Sequence, residues 1–447
     1  MVSSQEYDVI VAGGGTAGSL AAIAAAREGA RTLCVEQFGG LGGTTTFALV
    51  TPLLGHRLGK RMLVRGLSEE VSRRLEEMPG GDGTFYDPEA LKFVLEQMAV
   101  EAGVELLYFT LVTGAQVEGG VLRAVEVHNK SGRSVLAAKA FVDATGDADL
   151  AVLAGCPYES GRPEDGLNQS ASLRFVVGGV DLEALAGWLQ RHGVNAAPPK
   201  LGFGFARGFN TPEWMEEMLD QAAREGIFSD EEGGYIQFFS MPNRSGELFF
   251  NCPRIMKVNC ARAEDLTHAQ VEGRRLIPGI VEFCRRFMAG FDRAYVAWTA
   301  PMVGVRETRR ILGEYVFSGD DVLSGAKFDD AVARTRYPID VHFPDRPGVN
   351  IKHPPQGDYY EIPYRSLLPV RPDGLLVAGR CISATFEGQS AMRVVGPVRA
   401  IGQAAGIAAA MAAARGIPPR QLDPRELRAR LEEEGVLGDP PEESDQA

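Results

Sequence analysis

Residues 7–36 constrain the fold more than any other stretch of the chain. An apolar strand, Val9–Ala12, runs into Gly13-x-Gly15-x-x-Gly18, and an alanine-rich helix, Ser19–Arg27, follows. Gly29 stops that helix, and a second apolar strand, Thr32–Val35, ends on Glu36. Strand, glycines, helix, strand and acid in this order predict a βαβ unit that binds a dinucleotide; the alternative is an ordinary βα turn. In such a unit Gly13 permits the tight turn. Gly15, Thr16 and Ala17 let the backbone approach a pyrophosphate, and Gly18 lets the helix pack closely on the strand. The first N–H groups of the helix and its dipole then hold the phosphates. Glu36, with Gln37 beside it, stands where a carboxylate accepts from a ribose hydroxyl pair.

The rest of the chain bears on which dinucleotide it is. A glycine- and threonine-rich loop, Gly39–Thr46, follows directly and contains Gly42, Gly43 and Thr44. A simple NAD-binding domain does not need this loop, whereas a longer cofactor needs flexible backbone and hydroxyls further along. Downstream, Phe141–Asp149 sets a strand against a small-residue turn with Ala144, Thr145 and Gly146. Gly374–Arg380 is another buried strand, ending at Gly379. With the basic segment Gly304–Arg310 and the run from Ala378 through Gly402–Gly406, the chain resembles the FAD-dependent oxidoreductases of the glutathione-reductase structural type. Within them it is most similar to the family grouped with fumarate reductase and thiazole-synthase-like flavoproteins. The motifs span almost the whole chain. The resemblance implies FAD as cofactor, with further contacts from Val112, Gly379, Arg380, Pro397, Gly402 and Gln403. Relatives in the wider superfamily often carry an Asp where Arg380 stands, so a pyrophosphate or ring contact is expected of Arg380 instead.

Composition narrows the partners. A net charge of −13 argues against nucleic acid or an anionic membrane surface. The six cysteines (34, 156, 252, 260, 284, 381) form no C-x-x-C, so neither a disulfide framework nor an iron–sulfur cluster is indicated, and no metal site is expected. The run Val398–Ala414 is too rich in small residues, and carries Arg399 and Gln403, to read as a membrane span. The chain opens almost directly on its first strand, without a signal peptide, so a cytoplasmic enzyme is expected. Its partners are then a small-molecule substrate and an unidentified electron acceptor or donor, with a homo-oligomer left open.

Periodicity organises the remainder into an α/β architecture, which the resemblance implies is a Rossmann-like FAD-binding domain of parallel sheet, helices and β-meander with an inserted α+β substrate domain. The first is discontinuous, residues 1–157 plus 358–430, and the second covers 158–357. Asp87-Pro88 starts a helix, Pro88–Ala102. Val104–Val112 reads as one strand, and Val121–His128 with Ser134–Val142 as a hairpin about Asn129–Gly132. In the insert, strands are expected at Ser172–Val177, Tyr235–Met241 and Glu247–Asn251, and helices at Leu182–His192, Thr211–Glu225 and Ala263–Ala289. Gly396-Pro397 opens a long helix to Arg415. The acidic tail, residues 432–447, has the composition of a disordered segment.

Three segments are candidates for chemistry. The amino end of the helix after Pro397 is placed to stabilise negative charge on a reduced flavin ring; simple core burial is the alternative. Arg306, Arg309 and Arg310 cluster around a single acid, Glu307, which suits a carboxylate or hydroxyl-rich substrate, or else a salt-bridged structural segment. Ile339–His342 alternates so that Asp340 and His342 share a face. His342 can then move the proton that accompanies hydride transfer, or be a satisfied structural histidine. Arg306, Arg309 and His342 are thus the catalytic candidates. A second dinucleotide fingerprint is missing: Gly202-Phe203-Gly204 reads as irregular and Gly208 falls one residue late. Phe47 and Ala48 stand where some relatives attach flavin through histidine, so non-covalent FAD is expected, with His56 the nearest histidine. The favoured function is hydride transfer between FAD and a small polar or anionic organic substrate. A flavin monooxygenase and a non-enzymatic binding protein resembling the GDP-dissociation-inhibitor branch are the alternatives.

Overall fold

The computed structural model describes residues 6–79, 81–207, 210–228 and 234–437. Tyr7–Ala12 lies between Thr32–Val35 and Gly132–Asp143, parallel to both, with Val11 opposite Cys34 and Val142. Glu105–Leu107 and Leu375–Val377 extend the sheet at either side, also in parallel. Val9, Ile10 and Val11 are wholly buried, as continuous apolar strands covered on both faces should be. Gly132–Asp143 is long enough to serve twice. Its second half joins the parallel strands, while its first half pairs antiparallel with Val121–Asn129 and so with Leu111–Glu118, forming the meander. Fold class and meander agree with the sequence reading.

Glycine fixes how the helices approach. Gly13 has φ +92°, and a Cβ there would lie 2.7 Å from the Ala144 carbonyl oxygen. The long helix Val395–Arg415 is buried along nearly its whole length and crosses the first helix, Gly18–Arg27. A Cβ at Gly402 would sit 2.2 Å from the Ala17 carbonyl oxygen, and one at Gly406 2.1 Å from that of Ala21. The two helices are therefore in backbone contact.

A five-stranded antiparallel sheet carries the second core. Its order is Gly202–Ala206, Tyr235–Ser240, Leu248–Phe250, Phe175–Gly178, Tyr295–Thr299. Helices Leu182–Arg191, Glu213–Arg224 and Ala263–Phe287 accompany it, around a core that includes Phe238, Phe250, Phe283 and Phe291.

Several expectations are corrected. Val104–Val112 is two strands: the chain leaves the parallel sheet at Leu107, Phe109 takes φ +53°, and the Thr110 N–H donates to the Glu36 carbonyl. Ser172–Val177 also divides, because Ala171–Ser172 pairs with Arg254–Ile255 and Phe175–Gly178 with the five-stranded sheet. Arg174 sits at the break. Gly202–Ala206, read as irregular, is the edge strand, hidden by the low strand preference of glycine. Gly208 lies outside the described residues. Residues 158–357 feed both cores: Ile311, Phe317, Ile339 and Val341 pack with the dinucleotide side, drawn there by pairing of Ala331–Thr335 with Tyr360–Pro363. Of the tail, Glu432 and Glu433 end a helix, and Val436 and Leu437 are buried against the first core. Residues 438–447 lie outside the described residues.

Candidate functional site

A cavity of about 730 Å³ begins at the glycine turn after the first strand and ends at the face of the five-stranded sheet. At the turn, Gly15 has no atom closer than 3.8 Å to where its Cβ would be, so its face is open to a ligand. Glu36 is buried; its Oε2 accepts from the Gly14 N–H at 2.6 Å and its Oε1 from the Phe38 N–H at 2.8 Å. Burial pushes its pKa up, and those backbone bonds oppose the rise. Thr16 Oγ1 donates to the Gly42 carbonyl at 3.1 Å, tying the glycine turn to the Gly39–Thr46 loop. Asp143 is wholly buried, with its pKa pushed up to about 6 by burial. It accepts from the Thr145 N–H and hydroxyl and from the Ala151 N–H, which shapes the Ala144–Gly146 turn. Arg380 packs over Gly146 and pairs with Asp147 at 2.7 Å. The open glycine cradle, the buried acid and the length of the cavity fit a dinucleotide with a further ring system beyond it.

The far end is a different environment. Asp340 Oδ2 accepts from the Tyr337 hydroxyl at 3.0 Å, from His342 Nε2 at 3.2 Å and from Arg393 Nη2 at 3.4 Å. Although burial opposes it, the hydrogen bonds from His342 and Tyr337 and the Arg393 charge hold the Asp340 carboxyl well below its ordinary range. His342 is itself buried, which together with nearby Arg306 keeps it neutral; its Nδ1 has no partner among the described residues. Arg306 is 8% exposed and donates Nη1 to the Ser170 carbonyl at 2.6 Å and to Ser172 Oγ at 2.9 Å. Arg254 lies 3.5 Å over the Tyr235 ring and donates to the Gly348 carbonyl, leaving Nε and Nη2 without hydrogen-bond partners among the described residues. Arg174 donates to the Leu49 carbonyl at 2.9 Å, and burial pushes its pKa down to about 10. The sheet contributes Tyr235, Gln237, Phe239 and Asn251 to the walls, with Gly202 opposite Phe239 and Gly204 opposite Gln237.

Most residues expected at the cofactor border the cavity: Gly13, Gly15, Thr16, Ala17, Glu36 and Gln37, then Gly43, Thr44 and Val112. Ala144, Thr145, Gly146, Gly379 and Arg380 do so as well, as do Arg306 and His342. Six others do not. Gly18 is packed against the Gly13 carbonyl, and Gly42 takes two threonine hydroxyls on its carbonyl. Gly402 presses on Ala17, and Gln403 Oε1 accepts from the Leu67 N–H at 2.8 Å, capping another helix. Pro397 faces Gly55, and Val394, Val395 and Val398 border the cavity in its place. Arg309 is paired with Asp149, and Arg310 with Glu307. His56 is buried away from the cavity wall. Arg174, Arg254, Tyr235 and Tyr337 escaped sequence reasoning. The one available signal was an arginine in each of two otherwise apolar strand-like runs, Leu173–Val177 and Cys252–Ile255.

A family model described as FAD dependent oxidoreductase matches residues 8–431. Mitochondrial dihydrolipoyl dehydrogenase of Schizosaccharomyces pombe is 28% identical over 148 residues, 25% of this chain and 29% of that protein. Among solved structures, a geranylgeranyl bacteriochlorophyll reductase-like protein of Thermoplasma acidophilum is similar at TM-score 0.44 and 13% identity, covering 96% of this chain and 84% of that one. Glycerol-3-phosphate dehydrogenase of Bacillus halodurans, complexed with FAD, is similar at TM-score 0.41 and 16% identity, over 69% of this chain and 58% of that one.

Proposed function

The chain belongs to the FAD-dependent oxidoreductase family, and from that premise we propose that it moves hydride between FAD and a small organic anion. One observation carries the reading: at the sheet end of the cavity, among the described residues, four arginines gather around one carboxylate, Asp340, beside an imidazole whose Nδ1 is unpartnered. Buried guanidiniums without counter-charges are costly, and an anionic ligand offsets that cost. FAD, when bound, supplies the two-electron acceptor or donor of hydride.

The chain's own groups divide the remaining work. Gly13–Ala17, Glu36, Gly43 and Thr44 hold the dinucleotide. Arg254 and Arg306 hold the anionic group of the substrate, with guanidinium forks matched to a carboxylate. Asp340 accepts from His342 Nε2, which fixes the tautomer and leaves the Nδ1 lone pair to take a proton from the substrate, or return it. Burial keeps His342 neutral and ready for that proton. Anaerobic mixing of the oxidised flavoprotein with hydroxy acids, polyols and amino acids, and of the reduced flavoprotein with enoates, tests the reading. Bleaching in the first case, or reoxidation in the second, by at least one anionic compound is expected. A flavin that bleaches only with NAD(P)H overturns it and favours a monooxygenase.

A further inference from the structure

The unpartnered polar atoms of the chamber describe the ligand that fits it. Among the described residues, Arg254 Nε and Nη2 and Arg393 Nε are buried donors without acceptors. His342 Nδ1 and Asn251 Oδ1 are buried without partners as well. Asn251 Nδ2 donates to Gln237 Oε1 at 2.7 Å, so its oxygen is the atom left over, and His342 Nδ1 carries a lone pair when Nε2 donates to Asp340. Buried polar atoms in native proteins are nearly always satisfied, so a fitting ligand brings acceptors to the guanidiniums and donors to His342 and Asn251. A carboxylate provides the acceptors. A hydroxyl or an amine provides the donor.

Charge decides between the two donors. Among the described residues, the carboxylates bordering the cavity are Glu36, at the dinucleotide end, Asp149, which is paired with Arg309, and Asp340. That leaves Asp340 alone against Arg174, Arg254, Arg306 and Arg393. An ammonium group would add a fifth cation to a buried excess, whereas a hydroxyl adds none. We infer that the substrate is a hydroxy acid, an organic carboxylate bearing a hydroxyl, and that the chamber rejects the matching amino acid. The inference rests on the organic-anion reading above and names its substrate class. Phe85, Phe203 and Phe239 border this end of the chamber, the Phe85 ring 6.2 Å from that of Phe239, and give an apolar substituent a wall to lie against.

Dissociation constants of the FAD-loaded protein for 3-phenyllactate, phenylalanine and 3-phenylpropionate test the inference, read as ligand-induced shifts in melting temperature. Lactate and alanine serve as a smaller pair. 3-Phenyllactate is expected to bind about tenfold or more tighter than phenylalanine, and also tighter than 3-phenylpropionate. Asn251→Leu, provided it retains flavin, should erase most of the margin over 3-phenylpropionate. Phenylalanine binding as tightly as 3-phenyllactate, and bleaching the flavin, overturns the hydroxy-acid inference while leaving the organic-anion reading intact. If none of these acids binds and no other organic anion bleaches the flavin, that reading fails and this one with it.

Discussion

His342 shows how much of a residue's chemistry depends on its neighbours. In sequence it is one histidine on a four-residue alternation; in the fold, Asp340 takes one ring nitrogen and the other is left bare. His342→Ala is therefore expected to slow flavin reduction by about 10²–10⁴ while flavin occupancy holds. Single-turnover reduction beside absorbance at saturation measures both, and an unchanged rate removes His342 from the mechanism. Arg306→Ala should weaken substrate binding by about 1.5–3 kcal/mol, the range for a hydrogen bond to a charged group. Because Arg306 also holds Ser170 and Ser172, its melting temperature must be followed, and Arg306→Lys should restore part of the affinity. Glu36→Ala should weaken FAD by about 1–3 kcal/mol. It should also lower the melting temperature of the flavin-free protein, since the Gly14 and Phe38 N–H groups lose their acceptor. Equilibrium dialysis and thermal denaturation separate the two effects.

Among elements, the contact between the first helix and Val395–Arg415 is the most demanding. The sequence shows small residues at 402 and 406, which allow close approach, but the partner surface is visible only once Ala17 and Ala21 are seen beneath them. Added methyls there meet backbone carbonyls, which cannot rotate away. Gly406→Ala should cost about 1–3 kcal/mol by overpacking, measured by denaturant unfolding. Gly402→Ala should cost as much and also lose flavin, because Ala17 borders the cavity. A Gly406→Ala protein as stable as the parent would show that the helices can part. The strands that escaped sequence reading share one cause. Gly202–Ala206 and the split of Ser172–Val177 depend on which partner strands stand alongside, and local pattern does not carry that information.

For the molecule as a whole, pH tests the burial of ionisable groups. Burial, with Arg57 and Arg399 nearby, pushes His56 down to about 4 from its ordinary value of 6.5. Between these values the unfolded chain binds the proton and the folded one does not. The stability His56 contributes is therefore present above pH 6.5 and lost as pH falls toward 4. Asp143, raised to about 6, works the other way in much of that window, so the difference from His56→Asn is the informative quantity. Wild type should lose about 1–2 kcal/mol relative to that variant between pH 7 and pH 4.5, measured by urea unfolding. A constant difference would mean that His56 is not held neutral. By itself the sequence determined the dinucleotide unit, the family and the FAD cofactor, because backbone geometry around a pyrophosphate demands glycines at fixed spacing in one contiguous stretch. It also marked Arg306 and His342, though not which of Arg306 and Arg309 faces the cavity. Only the tertiary structure decided the chamber proposed to take the substrate. Arg174, Arg254, Tyr235 and Tyr337 come from separate segments, and their meeting is set by long-range strand pairing and burial, which leave no local periodicity to read.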